Sequence, residues 1–190
     1  MKRTELKLVS ELMKNSRRSD RELAKAIGVS QPTASRLIKQ LEREGTIREY
    51  TIIPNLANLG YKILAFTIVK IKQSLSPEQI EEAKKTIGDA LKMMPINILM
   101  LERGLGLDSD GAIVSCHEDY ASYVEFVEIL KKGGGQFLMP EDIKSFLINL
   151  EDQVRFIPLT FSILAGNLSK MEEKKRQSAP RKRSTTTETK

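Results

Sequence analysis

Twelve residues, Ser19-Asp20-Arg21-Glu22-Leu23-Ala24-Lys25-Ala26-Ile27-Gly28-Val29-Ser30, constrain this chain more than any other stretch. Ser19 to Glu22 is a capping box, in which the hydroxyl accepts the third amide and the carboxylate reaches back to the cap amide. Leu23, Ala24 and Ile27 give the short helix that follows one apolar face. Gly28 supplies a left-handed residue that ends it, and Ser30 starts a new helix at once. Two short helices joined this tightly, with a small residue where they cross, make a helix-turn-helix.

The next helix, Gln31 to Glu44, buries one narrow stripe of Ala34, Leu37, Ile38 and Leu41. Its other face carries Gln31, Thr33, Ser35, Arg36, Lys39, Gln40 and Arg43, and acids wait until Glu42 and Glu44. Small polar groups and an Arg at a helix N-terminus suit a DNA major groove, where they reach base edges and phosphates. Ahead of this pair, Leu6, Val9 and Met13 recur at helical spacing from Thr4 to Lys14, with Leu8 and Leu12 widening the stripe. Behind it, Thr46 to Ile53 is β-rich and ends at Pro54, which predicts a short ribbon or wing. Arg48 there is either a phosphate contact or the wet face of an edge strand.

Charge is distributed to match. Residues 1–60 hold twelve Lys/Arg against seven Asp/Glu, residues 61–169 hold eleven against fifteen, and residues 170–190 hold eight against three. A basic head and a basic tail flanking an acidic middle is the asymmetry of a chain that meets a polyanion. No apolar run is long enough to span a bilayer, and the N-terminal residues lack a signal-peptide core. The chain has one cysteine, Cys116, and one histidine, His117, so no disulfide framework and no Cys/His zinc site are expected. These features point to a cytoplasmic protein without metal or cofactor and without a membrane segment.

After the connector Asn55 to Gly60, the pattern changes from helical to alternating. Residues 62–71, Ile96 to Glu102, Gly111 to Cys116 and Ile143 to Leu150 read as strands, and Val154 to Leu164 as a possible fifth. Ser76-Pro77-Glu78-Gln79 caps a helix with core residues Ile80, Ala83, Ile87, Leu91 and Met94. A second helix spans about Glu118 to Lys131, with Tyr123, Val124, Val127 and Leu130 inside. Gly104 to Asp110 reads as a Gly/Asp turn. The order β-α-β-β-α-β is the ferredoxin-like split βαβ, an antiparallel sheet with both helices on one face. In the first strand Leu64, Phe66 and Ile68 form a second apolar face, to be covered by a homodimer partner or by the fifth-strand region.

Taken together, these residues resemble the Lrp/AsnC (feast/famine) family of prokaryotic transcription regulators. Ser19–Glu22, Leu23-Ala24, Ile27-Gly28-Val29-Ser30 and Arg36-Leu37 look like its helix-turn-helix. Gly45-Thr46-Ile47-Arg48-Glu49-Tyr50, Pro54 and Leu59-Gly60-Tyr61 look like its wing and hinge. The resemblance covers roughly residues 1–165 and implies an α+β chain: an N-terminal winged helix-turn-helix (1–54), a hinge (55–61) and a C-terminal ferredoxin-like βαββαβ ligand-sensing and dimerisation domain (62–165). A disordered basic tail (166–190) would follow. It implies binding of double-stranded DNA as a homodimer or higher oligomer. Gln31, Thr33, Ser35 and Arg36 would read bases, while Lys39, Arg43, Arg17, Arg18 and Arg21 would hold phosphates. Family members respond to amino acids through a Gly closely followed by Asp between the second and third strands. The nearest match is Gly106 with Asp108 or Asp110, in a loop expanded by Gly104.

Two other classes share these features. Sirohaem decarboxylases are similar in build but rely on histidine and arginine around a tetrapyrrole, whereas this chain has only His117, expected at the surface of a strand end. Cys116 and His117, adjacent on a strand, would face opposite ways and make a poor nucleophile–base pair, so no catalytic residues are expected. A chromatin-like protein of low specificity would use the tail, with Lys174-Lys175-Arg176 and Arg181-Lys182-Arg183, as a DNA tether. The plain alternative is a solvated tail.

Overall fold

The computed structural model describes residues 1–71, 76–93, 97–134, 138–154, 157–168 and 170. It divides into two compact units, Met1–Ile53 with Phe156–Lys190, and Pro54–Arg155.

In the first unit, helices α1 (Arg3–Lys14), α2 (Asp20–Ile27) and α3 (Gln31–Arg43) form as the sequence predicts. The Ser19 hydroxyl accepts the Glu22 amide at 3.3 Å, and the Glu22 carboxylate accepts the Ser19 amide at 2.8 Å. Gly28 sits at φ +77°, and the Ala24 carbonyl accepts the amides of both Gly28 and Val29. Ser30 occupies the N-cap of α3, but its hydroxyl lies 2.8 Å from the Thr33 hydroxyl instead of capping the backbone. The core is Leu8, Leu12, Leu23, Ile27, Leu37 and Leu41. The centre of the α1 stripe is therefore Leu8 and Leu12, while Leu6, Val9 and Met13 are its half-buried margins. The three helices meet on the line where all the leucines converge, which is displaced from the line best fitted by α1 alone.

Two sequence expectations in this unit are corrected. Residues 46–53 form no strand; the segment is held by Ile47 against the core and by the Tyr50 hydroxyl donating to Glu42 at 2.9 Å. β-propensity without a pairing partner does not make a ribbon. Burial and the Glu42 carboxylate push the Tyr50 hydroxyl up to about 12. Val154 to Leu164 is likewise not a fifth strand among the described residues; 162–168 is helical. Phe161, Leu164, Ala165 and Leu168 recur at the i, i+3, i+4, i+7 spacing of a helix, which outweighs the local β character. That helix takes in residues 166–168, which the expected domain division gives to the disordered tail. Residues 171–190 lie outside the described residues.

The second unit is a four-stranded antiparallel sheet in the order β2-β3-β1-β4, built from β1 (Ile63–Val69), β2 (Ile98–Gly106), β3 (Ser109–His117) and β4 (Lys144–Asn149). Helices α4 (Pro77–Met93) and α5 (Tyr120–Gly134) make the crossovers. At the start of α4 Ser76 and Gln79 exchange the two bonds of a capping box, at 2.9 and 3.3 Å. Ile80 and Ala83 of its expected stripe are half-buried; the side chains of Ile87, Leu91 and Met94 lie outside the description. One face of the sheet is filled by α5, with Val69, Ile113 and Phe126 at the centre and Ile98, Tyr123, Val127 and Leu130 around them. The Thr67 and Ser145 hydroxyls, paired across β1 and β4, lie 2.9 Å apart on that same side. Gly111 stands opposite Val69, where any Cβ would come within 2.9 Å of the valine Cγ2.

The Gly104–Asp110 stretch is also corrected. Pairing of β2 with β3 continues to Gly106 and Ser109, leaving a two-residue turn of Leu107 and Asp108, both left-handed at φ +55° and +54°. Such a turn follows the natural twist of a hairpin, and the ladder bonds it preserves offset the strain of a left-handed Leu. His117 is buried, not at the surface. Its ring packs against Tyr123 and Phe126 at centroid distances of 5.6 and 5.1 Å, with Nε2 2.9 Å from the Ser115 hydroxyl. Residues 115 and 117 share the face that α5 covers, so a strand-end position is enclosed by tertiary packing.

Gly111→Ala is expected to destabilise the protein by about 1–3 kcal/mol through overpacking, and by less in a Val69→Ala background; denaturant unfolding of the two backgrounds measures the difference. Burial lowers the pKa of His117 below its ordinary value. Between that lowered value and about 6.5, the unfolded chain binds a proton that the native one refuses, so stability falls as pH drops through this window. Melting between about pH 7 and 5 should show a steeper loss for the natural chain than for His117→Phe; equal slopes would refute this.

Candidate nucleic-acid interface

The residues predicted to meet DNA lie mainly on α3, whose Leu37 and Leu41 are buried in the leucine core. Its exposed face begins with an acid-free first turn that includes Pro32. Gln31, Arg36, Lys39 and Arg43 are exposed, and a shallow cleft is lined by Pro32, Ser35, Arg36, Lys39, Gln40 and Arg43. The side chains of Gln31, Arg36, Lys39 and Arg43 have no hydrogen-bond or ion-pair partner among the described residues. Three unneutralised cations at positions 36, 39 and 43 therefore line up along one side of one helix.

Thr33 and Ser35 are placed differently. The Thr33 hydroxyl is engaged with Ser30. The Ser35 hydroxyl bonds the Asp20 carboxylate of α2 and lies 3.1 Å from the Gln31 carbonyl. Both are half-buried and serve to fix α3 against its surroundings. Arg18 folds onto Glu11 of α1, whose carboxylate Lys14 (2.6 Å) and Arg18 together hold below its usual range. Arg17 and Arg21 remain exposed. At the far end of α3, Gln40 donates to Glu44 at 2.8 Å, and Glu42 takes the Tyr50 hydroxyl, so the acids there are partly occupied.

Sequence reasoning missed two ties in this unit. One is Tyr50 on Glu42. The other is Ser10, a buried polar side chain on α1 whose hydroxyl donates to the Ala165 carbonyl at 2.8 Å. A serine amid the leucines of α1 was the available signal, since buried hydroxyls need a partner.

The expected effector residues sit at the tip and base of the β2–β3 hairpin. The Asp108 carboxylate lies 2.8 Å from Lys70 Nζ, which holds it below its usual range, and the Lys70 ammonium is raised in return. Asp110 accepts the Ile71 amide at 3.2 Å, and Gly106 closes the last pair of the ladder. A separate small pocket is lined by Lys62, Ile63, Asp119, Tyr120, Leu147, Ile148 and Asn149. Cys116 is buried, donates weakly to the Asn97 carbonyl, and its thiol is pushed up by desolvation, which makes it unreactive. Among the described residues no group of three or more His, Cys, Asp or Glu side chains gathers as metal ligands, and no helix is long and apolar enough to cross a membrane.

Residues 1–48 match a family described as winged helix-turn-helix DNA-binding. The chain is 29% identical over 163 residues to an uncharacterised HTH-type transcriptional regulator of Pyrococcus furiosus, covering 83% of this chain and 84% of that one. It is 37% identical over 68 residues to the leucine-responsive regulatory protein of Rhizobium meliloti, covering 36% of this chain and 44% of that protein. Among solved structures, a transcriptional regulator of Neisseria meningitidis in complex with L-Met superposes with a TM-score of 0.61 at 20% identity, covering 86% of this chain and 99% of that one. With a helix-turn-helix followed by a four-stranded antiparallel sheet and its two crossover helices, the chain is similar to HTH-type transcriptional regulators, a leucine-responsive regulatory protein among them, and shares the fold of that solved regulator.

Proposed function

We propose that this protein regulates transcription by sequence-specific binding of double-stranded DNA, with α3 in the major groove. The observation that carries this reading is the exposed face of α3, where Gln31, Arg36, Lys39 and Arg43 are unpartnered among the described residues and the opposite edge of the helix is packed into the leucine core. A long side chain free of internal bonds on a rigid helix can commit its donors to a base edge at low entropic cost. Gln31 and Arg36, nearest the N-terminus of α3, read bases; Lys39, Arg43, Arg17 and Arg21 hold phosphates. Thr33 and Ser35 set the position of α3. Arg18 contributes after leaving Glu11 or remains a structural pair.

The sheet supports a homodimer. Its second face presents Leu64, Phe66, Ile68, Val114, Met100, Phe146 and Ile148 with no helix over them among the described residues, and Phe146 is 69% exposed. With no fifth strand among the described residues, a second copy is the economical cover for this surface. Two copies would present two recognition helices to a pseudo-palindromic site.

The protein acts by binding and not by catalysis. Its relatives are named as regulators, and buried His117 and Cys116 point to opposite faces of β3. The Neisseria neighbour was solved with L-Met, and an amino-acid effector suits the regulatory reading. Here both Asp108 and Asp110 are already bonded to the end of β1, so the role carried forward for them is fastening the hairpin.

Arg36→Ala is expected to weaken binding to the chain's own upstream DNA by about 1–3 kcal/mol and to relax sequence preference. Lys39→Ala should instead lower the salt slope by about 1 and leave preference intact. Binding across a salt series to the upstream and a shuffled fragment separates the two; unchanged binding by Arg36→Ala overturns the assignment. For the dimer, sedimentation of Phe146→Asp at micromolar concentration should give a monomer where the natural chain gives a dimer. A monomeric natural chain would remove the dimer from the proposal.

A further inference from the structure

Lys39 stands one helical turn from Glu42 and one turn from Ser35, the residue that holds Asp20, yet it pairs with neither acid. Glu42 follows it at i+3, a spacing at which side chains on a helix meet. Ser35 precedes it at i−4, and the Ser35 hydroxyl bonds the Asp20 carboxylate. Both acids are thus taken by hydroxyls, Asp20 by Ser35 and Glu42 by Tyr50, whose phenol donates at 2.9 Å. Lys39 is exposed and has no hydrogen-bond or ion-pair partner among the described residues.

Tyr50 reaches Glu42 because the chain turns back at the end of α3. Gly45 takes the left-handed conformation at φ +70°, the Leu41 carbonyl accepts the Ile47 amide at 3.1 Å, and the Ile47 side chain packs against the leucine core. A bond to an ionised acceptor from a ring with few rotatable torsions outcompetes an exposed lysine, whose long stem must be ordered for a weak, salt-screened pair. Partial burial, the Glu42 carboxylate and then Asp20 push the Tyr50 phenol up to about 12, so it remains a donor at every pH near neutrality.

We propose that Tyr50 is a positioning residue for DNA binding: its hydroxyl holds the Glu42 carboxylate away from Lys39, which leaves the lysine ammonium open to a phosphate. The inference rests on the reading of α3 as the recognition helix. Without the phenol, Glu42 is free to take the ammonium one turn back, and a phosphate must then displace a carboxylate already in place. Phosphate contacts carry no sequence information, so the effect is the same on every DNA sequence.

The test introduces Y50F, which keeps the ring and removes only the hydroxyl, into the natural chain, into E42Q and into K39A. Each full-length protein is titrated with the chain's own upstream DNA and with a shuffled fragment of equal length across a salt series. In the natural chain, Y50F should weaken binding to both fragments about 2- to 3-fold at low salt and lower the salt slope by up to about 1, with their ratio unchanged. In E42Q there is no carboxylate to capture the lysine, and in K39A there is no lysine to capture. Y50F should therefore have no further effect in either background. Natural-chain binding unaltered by Y50F would overturn the proposal. So would a loss that persists in E42Q or in K39A, which assigns Tyr50 a direct DNA contact or a purely structural part. Failure of the natural chain to bind either fragment, or a K39A slope equal to the natural one, would overturn the α3 reading beneath it, an outcome distinct from these.

Discussion

The convergence of six apolar side chains, Leu8, Leu12, Leu23, Ile27, Leu37 and Leu41, is what the rest of this structure depends on. A helix of 13 residues such as α3 is marginal alone in water. Burial of its leucine edge against α1 and α2 both forms it and fixes its rotation, so that positions 36, 39 and 43 face outward. The same packing explains why the turn must be so short. Gly28 in the left-handed region lets the Ala24 carbonyl accept two successive amides, and α3 begins before α2 has moved away from the core. Small Ala24 and Ala34, both buried, allow the helices to approach.

Polar groups around that core divide into those that hold α3 and those that remain available. Ser35 on Asp20, Thr33 on Ser30 and Tyr50 on Glu42 brace the helix at its start and end. Arg36, Lys39 and Arg43 are left without partners among the described residues. A recognition surface benefits from this division, because a donor already satisfied inside the protein gains little from a base, whereas an unsatisfied one on a rigid support loses little entropy on binding.

The second unit follows a different economy. α5 fills one face of the sheet around Val69, Ile113 and Phe126, and Gly111 keeps the ladder close where a side chain would strike Val69. The other face has apolar residues and no cover among the described residues of the unit. Lys70 with Asp108, and the Ile71 amide with Asp110, tie the hairpin tip to the end of β1. The residues expected to meet an effector thus bond the hairpin to the end of β1.

Much of this was legible along the chain. Capping boxes at Ser19 and Ser76, the glycine stop at Gly28 and the alternation of β1 are local features, set by hydrogen bonds within a turn or by the two-residue period of a strand. Each survived into the structure because tertiary packing agreed with it. What required the fold was every feature whose partner lies far away in sequence. Residues 46–53 have strand propensity but no strand to pair with, and the 162–168 segment is helical where its neighbours suggested β. His117 is enclosed because α5 lies over it, and Ser10 is buried because Ala165 reaches it across 155 residues. The sequence by itself determined the helix-turn-helix, the order of strands and helices, and the cationic face of α3, since those depend on short-range periodicity and capping. Only the tertiary structure decided which side chains on that face stay free, which acids fasten the hairpin and where the C-terminal helix docks, because desolvation and pairing depend on neighbours in space.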